Sequence, residues 1–204
     1  MIIDILPHLN QRRIVLASQS PRRREILQLI GLEFDSQASS FAEDLDKSSF
    51  ESPNAYAQKT AEEKALDVWR KQNQAVHLVI GSDTIVVSDG KILEKPKSEA
   101  DAIQMLSNLS GRWHTVVTAV ALVCEGRVQS FCEEAKVCFD DLTDEMISAY
   151  VKTGEPMDKA GAYGIQGSGG AFVKKIDGCF FCVMGLPMNA VGREIRKLVE
   201  DGVL

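Results

Sequence analysis

Apolar and polar positions alternate along the chain with two periods, one suited to strands and one to helices. The run Ile14-Val15-Leu16-Ala17 is apolar throughout and stops at a Ser18-Gln19-Ser20-Pro21 turn. That pattern predicts a short buried strand over 14–17, then a helix over 21–30 with Ser20 as cap and Pro21 at its first position. Stripes of period 3.6 predict further helices over 53–72 behind Ser52, 99–109 behind Ser98, 144–152 behind Thr143, and 187–200. Ala102, Met105, Leu106 and Leu109 form one core stripe; Val191, Ile195 and Leu198 form another. Strands are predicted over 33–37, 76–81 and 85–87. A hairpin pairs 116–124 with 128–139 through Glu125-Gly126-Arg127, and a second pairs 170–176 with 179–184 through Asp177-Gly178. Strands joined both by helices and by hairpins imply an α/β fold with a mixed central sheet flanked by helices. The polar stretch 38–52 reads as a surface loop, and 155–170 is irregular.

Composition narrows the class. The 204 residues suit one large domain or two small lobes, and 45% hydrophobic with 25% charged residues is normal for a soluble globular chain. A net charge of −6 argues against general binding to nucleic acid or to an anionic membrane. The N-terminal stretch is interrupted by Asp4 and Pro7 and resembles no signal peptide, and no apolar run reaches the length of a membrane span. Five cysteines, an odd number, favour a reducing compartment, and the expected location is the cytoplasm. Cys179-Phe180-Phe181-Cys182 has redox-motif spacing, but it falls in a predicted strand, whereas that motif opens a helix.

Against this acidic background Arg22-Arg23-Arg24 stands out, because it occupies the first turn of the predicted helix over 21–30. A helix N-terminus is the positive end, where an uncompensated cation costs about 0.3–1 kcal/mol. A strand, a Ser-rich turn, free backbone N–H groups and guanidinium forks together suit a small, highly charged anion such as phosphate. The plainer alternative is a solvated basic face. Asp83 follows the apolar run 76–82, where a carboxylate is held firmly enough to act as metal ligand or general base. Thr84 offers a hydroxyl beside it, and Glu43-Asp44 in the polar loop can supply a second carboxylate. Lys64 borders the small-residue face of the helix over 53–72; it either snorkels along that face or reaches a ligand. Lys95 precedes the stiff Pro96.

The segment from Asp158 to Gly170 is dense in glycine, which lets backbone approach a ligand closely, although it lacks the ending of a Walker loop. Gln166 lies among those glycines. Its amide both donates and accepts, matching a uracil or thymine edge; adenine also pairs with Gln, so two base types remain open. His8, His77 and His114 are too scattered to propose a zinc site or a Ser-His-Asp triad, and His114 reads as structural.

Five segments taken together resemble the Maf-type nucleoside triphosphate pyrophosphatases, over about residues 13 to 199. They are Leu16-Ala17-Ser18-Gln19-Ser20-Pro21-Arg22-Arg23, Gly81-Ser82-Asp83-Thr84, Leu93-Glu94-Lys95-Pro96, Leu109-Ser110-Gly111-Arg112-Trp113-His114, and Gly154-Glu155-Pro156 through Gln166-Gly167. The resemblance implies a strongly twisted sheet in two lobes with a cleft between them, a single domain over 13–204 after an N-terminal extension of 1–12. It implies hydrolysis of a nucleoside triphosphate between the α- and β-phosphates. Asp83 takes the role of general base, and Ser18, Arg22 and Arg23 that of triphosphate clamp. Lys64 and Lys95 match phosphate-contacting lysines, and Glu43 matches a carboxylate near the metal. Thr84 and Gln166, with Arg22, match specificity positions in their dTTP/UTP form; the branch acting on 7-methyl-GTP differs there. Ser82 departs from the more frequent Ala, and Cys179-Phe180-Phe181-Cys182 replaces a more polar stretch.

The expected cofactor is a divalent cation, Mg²⁺ or Mn²⁺, held by Asp83 and Glu43, and the resemblance implies a homodimer acting on free nucleotide. Whether Asp83 is mainly base or metal ligand stays open at this level. The rival readings are a pyrophosphatase for noncanonical purine nucleotides and a nucleotide-binding regulator of cell division without turnover.

Overall fold

A computed structural model describes residues 2–72 and 75–204; Met1 of the N-terminal stretch lies outside them. The helices are α1 (Leu6–Leu9), α2 (Pro21–Leu29), α3 (Pro53–Arg70), α4 (Glu99–Leu109), α5 (Asp144–Val151), α6 (Phe180–Met184) and α7 (Met188–Glu200). The strands are β1 (Ile14–Ala17), β2 (Asp35–Ser36), β3 (Leu78–Ser88), β4 (Lys91–Leu93), β5 (Trp113–Cys124), β6 (Arg127–Phe139) and β7 (Val173–Gly178). They form a mixed seven-stranded sheet in the order β2-β1-β3-β5-β6-β7, with β4 paired to β3. β1 runs parallel to β2 and to β3, and β7 runs antiparallel to β6.

The helix starts follow local chemistry. Ser52, Ser98 and Thr143 each accept a first-turn N–H, from Ala55, Asp101 and Met146 respectively, as their position ahead of a periodic stripe predicts. Ser20 holds the N-cap position of α2, but its side chain accepts no cap hydrogen bond.

Two compact units divide the chain. The first comprises Met1–Asp83, Thr118–Glu133 and Gly185–Leu204; the second comprises Thr84–Val117 and Glu134–Met184. The residues of β3, β5 and β6 are shared out between them. In the first unit, the small residues Ala57, Ala61 and Ala65 of α3 are fully buried, as are Val191, Ile195 and Leu198 of α7. The second has its own core, in which Ala102, Leu106 and Leu109 meet Phe139, Tyr150, Tyr163 and Phe172, with Met105 partly buried against it.

Three sequence expectations are corrected. The separate strands over 76–81 and 85–87 are one strand, β3, and Asp83 lies inside it; a polar residue in an apolar run imitates a strand end. The strand over 179–184 is the short helix α6, because an apolar run this short carries no readable period. Cys179-Phe180-Phe181-Cys182 therefore does open a helix, and all five cysteines are free thiols. The stretch 170–176 is also divided: Ser168–Phe172 is a 3-10 helix, and strand begins at Val173.

Candidate active site

The first unit assembles Ser18 and Arg23 from the turn after β1 and the start of α2, Glu43 from the polar loop, Lys64 from α3 and Asp83 from β3. Ala17, the last residue of β1, is in register with Gly81 of β3, so the turn after β1 leaves the sheet beside Ser82 and Asp83. Helix α3 closes on the same strand at Gly81. A β-carbon there would stand 2.4 Å from the Ala61 carbonyl oxygen and 2.8 Å from the Ala65 methyl. Side chains alternate along a strand, so Asp83 shares the face that Gly81 turns toward α3. Lys64, between Ala61 and Ala65, is thereby carried to Asp83.

Lys64 Nζ donates to Asp83 Oδ1 at 2.8 Å and pairs with Glu43 Oε2 at 2.7 Å. Lys64 and Asp83 are 9% and 7% exposed, so the ion pair forms where a lone charge would be costly. Glu43 comes from the polar loop and is more open to solvent. Lys64 therefore does not snorkel along the helix face; its ammonium is buried against the Asp83 and Glu43 carboxylates.

The arginine turn supplies the positive side. Arg23 Nε donates to the Gly185 carbonyl at 2.8 Å, and its Nη1 donates to Ser18 Oγ at 3.2 Å. Ser18 Oγ also accepts the Ser20 N–H, and Ser82 Oγ donates to the same Gly185 carbonyl at 3.1 Å. Burial pulls the Arg23 guanidinium below its usual pKa. Asp83 and Glu43 oppose that pull, and Arg22 adds to it. The attraction of Asp83 and Glu43 for the Arg23 guanidinium ties the arginine turn to the carboxylate cluster. Arg22 is half-buried with no ion pair among the described residues, and Arg24 is exposed.

The remaining expected residues belong to the second unit. Thr84 follows Asp83 along β3 and is half-buried. Lys95 is exposed in the turn after β4. Gln166 is exposed in a turn closed by the Gly167 N–H donating to the Gly164 carbonyl.

The glycines around Gln166 have a more local cause than the sequence suggested. A β-carbon at Gly167 would stand 2.3 Å from Glu155 Oε1, at Gly169 2.6 Å from the Tyr150 hydroxyl, and at Gly170 2.3 Å from the Ile165 carbonyl. The segment is glycine-rich because it folds tightly on its own neighbours. His114 is structural, as expected: it is 3% exposed, and its Nε2 lies 2.8 Å from the Tyr163 hydroxyl.

Gly81 and Gly185 support the Lys64–Asp83 cluster of the first unit, and Glu155 supports the Gln166 turn of the second, without having been singled out in the sequence as separate contributors. Gly185 was legible only as a loop glycine; its φ of 112° and its carbonyl, shared by Arg23 and Ser82, are tertiary facts. As for a metal, no group of three or more His, Cys, Asp or Glu side chains is assembled among the described residues. Asp83 and Glu43 nevertheless point oxygens at a common cation, Lys64. Two hard carboxylates are a fitting protein share for Mg²⁺, which takes its other ligands from phosphate and water.

The description "Maf-like protein" belongs to a family model that matches residues 13–198. The chain belongs to the Maf family. A protein of Bacillus pumilus (strain SAFR-032) named dTTP/UTP pyrophosphatase is 47% identical over 94% of this chain and 97% of its own length. One of the same name from Aquifex aeolicus (strain VF5) is 47% identical over 91% of this chain and 95% of its own. A Homo sapiens protein named probable bifunctional dTTP/UTP pyrophosphatase/methyltransferase is 47% identical over 97% of this chain. The chain spans 34% of that human relative's length.

Proposed function

We propose that the protein hydrolyses nucleoside triphosphates, dTTP, UTP and related pyrimidine nucleotides, at the α–β anhydride to a monophosphate and pyrophosphate. The observation that carries this reading is the buried Lys64–Asp83 pair beside the Arg23–Ser18 turn. It sets a carboxylate, an ammonium and a guanidinium within one small unit of an acidic protein. Names of the bacterial relatives support the choice of nucleotide, as does the Thr84 and Gln166 pair of the dTTP/UTP form.

In the proposed reaction a water oxygen attacks the α-phosphorus, and Asp83 takes the proton that water loses. The bond from the α-phosphorus to the bridging oxygen breaks, and pyrophosphate leaves with that oxygen. Arg22, Arg23, Lys64 and Lys95 offset the charge that grows on the leaving group. Ser18 Oγ already accepts two hydrogen bonds, so its own O–H is available to donate to a phosphate oxygen. Asp83 and Glu43 would hold Mg²⁺ or Mn²⁺, which when bound supplies neutralisation of phosphate charge. Gln166 reads the pyrimidine edge.

A panel of dTTP, UTP, CTP, GTP, ATP, ITP and XTP, with pyrophosphate detection, tests the reading. Turnover is expected to favour dTTP and UTP and to fall at least about 100-fold in Asp83→Asn, the scale of a lost general base. Preference for ITP or XTP would instead favour a noncanonical purine pyrophosphatase. Tight nucleotide binding without pyrophosphate release would favour the regulator. A cytoplasmic homodimer acting on free nucleotide, not on nucleic acid, completes the proposal; it rests on the family and on the net charge of −6, and light scattering reads the mass.

A further inference from the structure

We propose that Glu155 is a positioning residue for base selection: its carboxylate, with the Tyr150 hydroxyl, fixes the turn that presents Gln166. This deepens the reading of Gln166 as the base-reading residue and rests on it. The turn is tied down at both ends. On its entry side the Gly164 N–H donates to the Tyr150 hydroxyl at 3.2 Å, and that hydroxyl in turn donates to Glu155 Oε1 at 2.9 Å. On its exit side the Ser168 N–H donates to Glu155 Oε2 at 2.9 Å and the Gly169 N–H to Oε1 at 3.2 Å. One carboxylate therefore links both flanks of the turn, while the Gln166 side chain itself is exposed and carries no hydrogen bond among the described residues.

The fit leaves little slack. A β-carbon at Gly167 would stand 2.3 Å from Glu155 Oε1 and 2.7 Å from Oε2. The Glu155 main chain is held as well, since Lys159 Nζ donates to its backbone carbonyl at 2.6 Å. Burial raises the Glu155 pKa. The N–H donors of Gly169 and Ser168 and the Tyr150 hydroxyl outweigh that and leave it below its usual value, so the group serves as an ionised acceptor. An amide such as Gln166 selects between bases only if its donor and acceptor are held in register with the base edge. Glycine-permitted close approaches hold this one, to the Glu155 carboxylate at 164 and 167 and to the Tyr150 hydroxyl at 169.

The test compares kcat and KM for UTP, CTP and GTP in the full-length wild-type protein, Gln166→Ala, Glu155→Ala, Glu155→Gln, Gly167→Ala and the Glu155→Ala/Gln166→Ala double variant. Glu155→Ala is expected to raise KM for UTP about tenfold with kcat within about twofold, the mark of lost uniform binding. It should also collapse the preference for UTP to the level of Gln166→Ala, and the double variant should lose no more. Glu155→Gln keeps an acceptor and should retain part of the preference. Gly167→Ala reaches the same carboxylate from the turn; with φ −103° and ψ −158° its backbone is open to any residue. It should reproduce the effect even if Glu155→Ala does not fold. Collapse in Gln166→Ala with full selectivity in Glu155→Ala and Gly167→Ala would overturn the proposal and leave the reading of Gln166 standing. Unchanged selectivity in Gln166→Ala would overturn both.

Discussion

Gly81 lies so close to the Ala61 carbonyl that a β-carbon would stand 2.4 Å from its oxygen. That contact sets how near α3 comes to β3, and so whether the Lys64 ammonium reaches Asp83 on the same strand face. Gly81→Ala is expected to push the helix outward, costing about 1–3 kcal/mol, the usual range for overpacking. Activity should fall further than stability does, because the ion pair opens. Urea denaturation and turnover of UTP on the same preparation check both parts; unchanged turnover with lowered stability would detach the helix approach from the site.

Removing one partner of the buried pair should be severe. Lys64→Ala leaves Asp83, only 7% exposed, without its 2.8 Å donor, and breaking a buried pair this way costs about 3–5 kcal/mol. Asp83→Asn leaves Lys64 its 2.7 Å contact with Glu43 and should be milder in stability but equally inactive. Parallel denaturant titrations give the order of the two variants, and the reverse order would contradict the pairing.

Much of this was legible in the sequence, and the misses share a cause. Ser52, Ser98 and Thr143 announced three helices because capping is local chemistry. The apolar run at 14–17 is β1 residue for residue. Asp83 was legible as a chemical group but disguised the strand it interrupts, since one polar side chain on a buried face breaks the pattern that marks a strand. Contact between Lys64 and Asp83 was not legible, because it depends on the packing of α3 on Gly81. The glycines at 164, 167 and 169 were counted as openness to a ligand; they serve instead to fit the chain around Glu155, Tyr150 and Lys159. Cys179 to Met184 was misread because a short apolar run suits a strand or a helix equally.

Arg23 should not tolerate lysine. Its fork donates at once to the Gly185 carbonyl and to Ser18 Oγ, at 2.8 and 3.2 Å, and a single ammonium on a flexible stem cannot reproduce that planar geometry. Arg23→Lys is expected to lower kcat/KM for UTP about 100-fold, as loss of an oriented charge donor does. Steady-state kinetics decide it, and near-wild-type values would mean the position needs charge alone.

Ser82 offers the contrasting case. Its hydroxyl donates to the Gly185 carbonyl at 3.1 Å, but that carbonyl keeps the Arg23 donor when Ser82 is removed. Ser82→Ala should cost only about 0.5–1.5 kcal/mol, one ordinary hydrogen bond, with kcat for UTP unchanged within about twofold. Differential denaturation of the two proteins reads the cost. A loss of activity would show that the Gly185 carbonyl needs both donors to hold Arg23 in place.

The pH dependence of stability should carry the signature of His114. Burial depresses its pKa from the ordinary 6.5 to about 4, and its Nδ1 is buried with no hydrogen-bond partner among the described residues, so the ring is kept neutral in the folded protein. Above pH 6.5 the ring is neutral in both states and contributes no pH dependence. As pH falls below 6.5 the unfolded chain gains a proton that the folded protein does not take up until about pH 4. Stability is therefore lost across that window, by about 3 kcal/mol at about 1.4 kcal/mol per pKa unit, and levels off below it. His114→Gln removes the titrating ring while keeping a polar group to meet the Tyr163 hydroxyl, 2.8 Å away in the wild type. Carboxylates titrate alike in both proteins, so the difference between their stability curves isolates the histidine. That difference should narrow between pH 6.5 and 4 and stay constant above 7.5; a gap independent of pH would mean the ring is protonated as readily folded as unfolded.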